Sequence, residues 1–261
     1  MASIFPVFQF LRYKLNAVSR HSLHSPFLYN FYTTVLKSKE KNILFDEIEQ
    51  YREALLQNEN TISINDFGAG SRVDASSERR IKDIAKSALS GEKFSKVLFR
   101  IAKNSGAEKI IELGTSFGIN TLYLSAVGEK AKITTFEGCI ETAEVANNMF
   151  GNTSRNNIDL IVGNIDETLP KFLGSIDNID VVYFDANHQY QSTMGYYGLF
   201  EDKIHNKTIF IFDDIHWSKG MFKAWCEIVN LPEVTLSLDI YDAGIVFFDK
   251  SFTKEHYVLD F

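Results

Sequence analysis

The chain has 261 residues, is 45% hydrophobic and carries a formal net charge of −7, so it can bury a full core and lacks the basic balance of a general nucleic-acid binder. Two cysteines, Cys139 and Cys226, give no ground for a disulfide framework or a zinc knuckle, and no apolar run nears the ~18 residues of a membrane span. The stretch Ile4–Phe8 is short, broken by Pro6 and followed by Arg12 and Lys14, unlike a signal peptide. A cytoplasmic protein with no nucleic-acid and no membrane partner is expected.

The charge is uneven. Residues 1–40 hold Arg12, Lys14, Arg20, Lys37 and Lys39 against Glu40, a balance of +4 that leaves −11 for the rest. Apolar residues there recur at helical spacing (Phe8, Leu11, Leu15; then Phe27, Leu28, Phe31, Val35), which predicts a mainly helical N-terminal region over 1–90. Its basic, aromatic arm suits contact with an anionic substrate or packing on a second copy in a homodimer, or is a solvated helix face. Thr61–Asn65 is a short strand candidate leading into the turn Asp66–Ser71.

After residue 90 the pattern becomes strand, turn, helix, repeated. Strands are expected near 109–113, 132–136, 158–162, 179–184 and 207–212, and the intervening amphipathic stretches argue for a parallel, doubly wound sheet. Val234–Leu238 and Gly244–Phe248 read as two further strands joined through Asp242-Ala243. The fold class is therefore α/β, a Rossmann-like, mostly parallel seven-stranded sheet with a C-terminal antiparallel strand and an α-helical N-terminal cap, the sheet domain covering 91–261.

Two glycine turns compete for a cofactor. A nucleotide-type fold needs a strand ending in an acid ~20 residues after the glycines, to hold ribose hydroxyls. The stretch after Gly70 is helical and offers none. After Gly114-Thr115-Ser116-Phe117-Gly118 come a helix and then a strand ending in Glu137, which makes this the cofactor loop. Two more strand ends carry acids, Phe184-Asp185-Ala186-Asn187-His188 and Phe212-Asp213-Asp214-Ile215-His216. Ligands bind outside the carboxyl ends of such strands. Asp185, Asp213 and Asp214 would suit a hard, oxygen-seeking ion, or Asp213 or Asp214 would cap the helix starting near Trp217.

Glu112-x-Gly114-x-x-x-Gly118, then Glu137, then Gly163-Asn164-Ile165-Asp166 with Leu169-Pro170, resemble the successive motifs of class I S-adenosylmethionine-dependent methyltransferases. Asp185-Ala186-Asn187-His188-Gln189-Tyr190 is similar to the Asp-Gly-x-His-x-Tyr element of metal-dependent macrolide-sugar O-methyltransferases. Asp213-Asp214 with Trp217 and Gly220 is similar to a segment of catechol-type and caffeoyl-CoA-type O-methyltransferases. The resemblance covers residues 90–250. It implies that Gly114, Thr115, Ser116 and Gly118 surround the methionine moiety of S-adenosylmethionine, that Glu112 lies near its amino group, and that Glu137 holds the ribose. Asn164, where many relatives have Asp, contacts the adenine edge and Ile165 packs nearby. Asp185 belongs to the cofactor and catalytic sets, His188 stands in the position of a general base, and Asp185, Asp213 and Asp214 bind a divalent ion such as Mg²⁺.

The implied reaction is O-methylation of a small-molecule hydroxyl with metal assistance. Alternatives are a nicotinamide-dependent oxidoreductase, whose Gly-x-Gly-x-x-Gly spacing is interrupted here, and a catalytically inactive cofactor-binding protein of the same fold. Tyr190 and Trp217 either wall the substrate or are rim aromatics with no special role, His216 beside the acidic pair is a second base or incidental, and His21 and His24 have no partner spacing that points to a site. Arg79 and Arg80 read as solvated, while Arg72 lies where it could reach an anionic substrate.

Overall fold

The computed structural model describes residues 4–64, 77–153 and 155–261, so the Asp66–Ser71 turn and Arg72 lie outside the described residues. The strands are β1 (Thr61–Ile64), β2 (Ser77–Arg80), β3 (Lys109–Leu113), β4 (Lys132–Glu137), β5 (Ile158–Val162), β6 (Val181–Phe184), β7 (Ile209–Asp213), β8 (Leu236–Asp239), β9 (Ala243–Phe247) and β10 (Glu255–Val258). The chain divides into two compact units, Lys39–Ser175 and Met1–Ser38 with Ile176–Phe261. Helices flank mostly parallel strands in both, so the fold is α/β and Rossmann-like.

In the Lys39–Ser175 unit, β4 pairs in parallel with β3 on one side and β5 on the other. The register sets Leu113 opposite Phe136 and Glu137 opposite Val162, so the loops that follow leave from one end of these strands. Helix Ile43–Gln57 closes the core by burying Phe45 and Ile48; the Phe45 ring stands 5.0 Å from both Phe99 and Tyr123. Each such fully buried aromatic contributes roughly 2–3 kcal/mol. β1 and β2 form an antiparallel hairpin, with Thr61 opposite Arg80, and α-helix Ile81–Ala88 follows at once.

In the other unit the strand order is β10-β8-β9-β7-β6. β6 and β7 are parallel with Phe184 opposite Phe212, and β9 runs antiparallel to both β7 and β8. Gly244 of β9 is required by close approach: a Cβ there would collide with the Trp225 ring, which helix Lys219–Asn230 lays on the strand. β10 is a strand beyond the seven expected. It pairs in parallel with β8, and its Glu255-His256-Tyr257-Val258 is short and polar because it carries exposed edge positions.

Helix Phe5–Asn16 is tied down from the far end of the chain. Tyr13 Oη donates to the Leu259 carbonyl at 2.6 Å and accepts from the Phe261 amide at 3.0 Å, while Val18 exchanges backbone bonds with Val258 and Asp260. Lys14 and Lys37 both reach the Asp260 carboxylate. Among the described residues, no helix is long and apolar enough to cross a membrane.

Candidate functional site

The Gly114–Gly118 turn is built from backbone that L-side chains resist. Gly114, Ser116 and Gly118 have φ of 99°, 48° and 79°, and the Gly114 and Thr115 amides both donate to the Phe136 carbonyl at 3.0 Å. This folds the turn back over the end of β4. A Cβ on Gly118 would stand 2.5 Å from the Phe150 ring. Gly118→Ala is therefore expected to cost about 2–4 kcal/mol, from left-handed backbone strain and the displaced ring. Urea unfolding checks this directly.

Glu137 ends β4 half-buried, with Oε2 accepting from the Ser116 amide at 2.8 Å and Oε1 from the Cys139 amide at 2.9 Å. Its carboxylate thus grips the glycine turn and the start of helix Ile140–Gly151 together. The Cys139 amide and buried thiol were not singled out for this from the sequence; the two-residue spacing after an acid is the common signal of such a turn.

Glu112 is fully buried. Its Oε2 accepts from the Thr121 and Thr135 hydroxyls, the latter at 2.6 Å, and Thr115 in turn donates to Thr135 at 2.6 Å. Its Oε1 has no hydrogen-bond partner among the described residues. Burial pushes this carboxyl from 4.5 up to about 7, against the two hydroxyl hydrogen bonds. A carboxyl raised in the folded state stabilises below its unfolded value, and that contribution is lost as pH rises through about 7. Glu112→Gln keeps an acceptor for both threonines and removes the penalty. The variant should melt above the parent at pH 8 and lose that advantage near pH 4, as thermal scans at the two pH values will show.

Asn164 caps helix Ile165–Leu173, its Oδ1 accepting from the Asp166 amide at 3.0 Å, and Ile165 is buried beneath it. The cap uses the side-chain oxygen and not the amide nitrogen.

The second group of site residues lies at the ends of β6 and β7. The pairing of Phe184 with Phe212 brings Asp185 and Asp213 to adjacent strand ends. The Tyr183 hydroxyl donates to Asp185 Oδ2 at 3.0 Å, and the Asp213 carboxyl hydrogen-bonds both Asp185 and Tyr183. Two carboxyls can bond only by sharing a proton. Burial and the Asp214 charge push Asp213 up to about 7, against the hydrogen bonds from Asp185 and Tyr183, which favour its ionised form. Asp214, at φ 53°, accepts from the Trp217 amide through its carbonyl, and burial raises its carboxyl too.

His188 Nε2 stands 3.6 Å from Asp185 Oδ1, and the ring donates to the Asp213 backbone carbonyl. Burial holds its pKa below the ordinary 6.5, against the pull of Asp214 and that carbonyl. It is thus a neutral imidazole at neutral pH. Asn187 takes the tight left-handed bend between the strand and His188, its Nδ2 donating to Ser192 at 2.8 Å. Tyr183 was missed from the sequence although it lies two residues before Asp185, on the same face of the strand.

The structure thus gathers Asp185, His188, Asp213 and Asp214 in one unit, and Glu112, Gly114, Thr115, Ser116, Gly118 and Glu137 around one turn in the other. The acids' donor chemistry suits a hard ion. Among the described residues, no group of three or more His, Cys, Asp and Glu side chains is disposed to hold a metal. His216 is buried rather than incidental, its Nε2 2.8 Å from Asp239 Oδ2 and its ring between Phe222 and Tyr241. Tyr190 donates to Glu227 beneath Lys223, and Arg80 pairs with Asp83 and Glu59, so both have structural partners. Trp217 is exposed.

Residues 111–215, a span that holds both groups of site residues, match the family model described as a methyltransferase domain. Over those residues the chain is similar to a methyltransferase domain, and solved methyltransferases share its fold. Among solved structures, a Bacillus cereus O-methyltransferase in complex with SAH is similar at 16% identity and TM-score 0.56, over 84% of this chain and 96% of that one. An SAH-bound methyltransferase from Podospora anserina is similar at 14% identity and TM-score 0.60, over 87% and 97%. The O-methyltransferase TomG of Streptomyces achromogenes, involved in tomaymycin synthesis and in complex with SAM, matches at 12% identity and TM-score 0.57, over 84% and 94%. No curated protein matches the chain in sequence.

Proposed function

We propose that the protein transfers the methyl group of S-adenosylmethionine to a hydroxyl of a small molecule, with His188 as general base. The observation that carries this reading is the His188 ring held on the Asp213 carbonyl, 3.6 Å from Asp185, at the carboxyl ends of parallel strands. The solved O-methyltransferases with SAH or SAM bound share the fold and support the cofactor assignment. Glu137 takes the ribose diol, the glycine turn admits the methionine moiety, and Asn164 Nδ2 faces the adenine edge.

The sulfonium already carries a reactive methyl, so the protein's work is alignment and deprotonation. As the acceptor oxygen bonds the methyl carbon, the carbon–sulfur bond breaks with its electron pair going to sulfur, and the hydroxyl proton passes to the His188 ring. A base must be neutral to act. Turnover is therefore expected to hold as pH falls through 6.5 and to decline only below it, and His188→Gln should abolish that acid limb in a pH profile of kcat.

No step is assigned to a divalent ion. Asp185, Asp213 and Asp214 are the acids that would hold one. Turnover should persist in chelator at neutral pH; a loss restored by Mg²⁺ would transfer those three acids to the ion. The cofactor is tested by calorimetry with S-adenosylmethionine, S-adenosylhomocysteine and NAD. Binding of NAD alone would return the nicotinamide reading.

A further inference from the structure

Helix Phe5–Asn16 turns its polar side inward. Gln9 and Tyr13 are its buried residues, while Ile4, Val7, Phe8, Leu11 and Leu15 are 55–87% exposed. At helical spacing these five fall on one stripe about 100° wide, opposite the buried face, with Arg12 along one edge and Lys14 along the other. An apolar stripe of this kind with basic margins is the geometry of a helix that lies in a membrane interface.

A second feature adjoins it. Lys14 Nζ is 3.3 Å from one Asp260 oxygen and Lys37 Nζ is 3.4 Å from the other, which sets the last turn of the helix beside Lys37. Lys37 lines a cavity of about 370 Å³ with Ser19, Arg20, His21, Tyr32 and Thr33. The Arg20 guanidinium meets the His21 ring at 3.4 Å and has no acidic partner among the described residues. Lys37 is engaged by Asp260 and the Thr33 hydroxyl by the Tyr29 carbonyl, so Arg20 and the Ser19 hydroxyl are the hollow's donors for a phosphate oxyanion.

We propose that this face docks on the surface of an anionic lipid bilayer, the stripe entering the acyl boundary and the hollow taking a headgroup phosphate. Charge selects this occupant over a second copy. Residues 1–40 carry +4 and the rest −11, so a self-complementary pairing would set one basic arm on another, whereas anionic headgroups attract the arm and repel the remainder. The sequence argues against a spanning segment, and surface docking needs none.

The test is co-sedimentation of the full chain with vesicles of phosphatidylglycerol and, separately, of phosphatidylcholine. Binding to phosphatidylglycerol alone, weakening with salt, is expected. Arg20→Ala should lower the partition coefficient about fivefold, the contribution of one cation near such a surface. The double variant Phe8→Ser with Leu15→Ser should lower it about tenfold or more. Both alter exposed side chains, and unchanged urea midpoints confirm that the fold is kept. Equal binding to both lipids, or variants that bind like the parent, would overturn the proposal. So would a stable dimer that the stripe variants dissociate, and so would inorganic phosphate binding at Arg20 without any vesicle binding.

Discussion

Replacing His188 with alanine is expected to lower turnover by roughly 10²–10⁴, the span of a positioned general base, with affinity for S-adenosylmethionine little changed. The expectation rests on where the ring sits. Asn187 bends the chain so that His188 returns to the end of β7, where it donates to the Asp213 carbonyl and faces Asp185 and Asp214. None of these contacts involves the Gly114–Gly118 turn, so a base deletion should leave the cofactor's partners intact. Single-turnover kinetics with radiolabelled methyl donor separate the chemical step from binding. A small drop in kcat with a large loss of cofactor affinity would move His188 out of the proton-transfer role and into cofactor binding.

The second large effect concerns Glu137. Alanine there is expected to weaken S-adenosylmethionine by about 1.5–3 kcal/mol, the scale of charge-assisted hydrogen bonds to a diol. The same carboxylate grips the Ser116 and Cys139 amides, so part of any loss could come from a loosened turn. A double cycle isolates the ribose contribution. The 2′-deoxy analogue of S-adenosylhomocysteine should bind the parent weakly, and Glu137→Ala should no longer distinguish it from the ordinary ligand. If calorimetry shows the two losses simply adding, Glu137 holds the loop and something else holds the ribose.

Much of this arrangement was legible in the chain. The alternation of strand and helix after residue 90 located β3, β4, β5, β6 and β7 to within two residues, because a buried parallel strand is a short apolar run bounded by turns. Both acid-ended strands and the His188 spacing were visible for the same reason: a strand end is where the apolar run stops. β10 was not visible, since an edge strand of Glu, His and Tyr has no apolar run. Helical period foretold the Phe5–Asn16 helix but not which side faces outward, a matter of what packs on Gln9 and Tyr13. The hydroxyls around Glu112 and the phenol at Asp185 come from other elements or from within the strand itself, and only the folded chain shows them meeting a carboxyl. Asn164 was expected at the adenine edge; its Oδ1 is engaged as a helix cap, which leaves the amide nitrogen for that role.

The clasp of Tyr13 and Val18 by Val258–Phe261 has a temporal side. Tyr13 and its acceptor Leu259 are separated by 246 residues. At roughly 5–20 residues per second of synthesis, the helix leaves the ribosome some tens of seconds before the segment that fastens it exists. Throughout that interval Gln9 and Tyr13 have no inner partner and the apolar stripe has no fixed orientation. The unit that holds the acid–histidine cluster is therefore completed late, after the glycine-turn unit of residues 39–175 has already been made. A helix synthesised before the glycine-turn unit is thus secured after it.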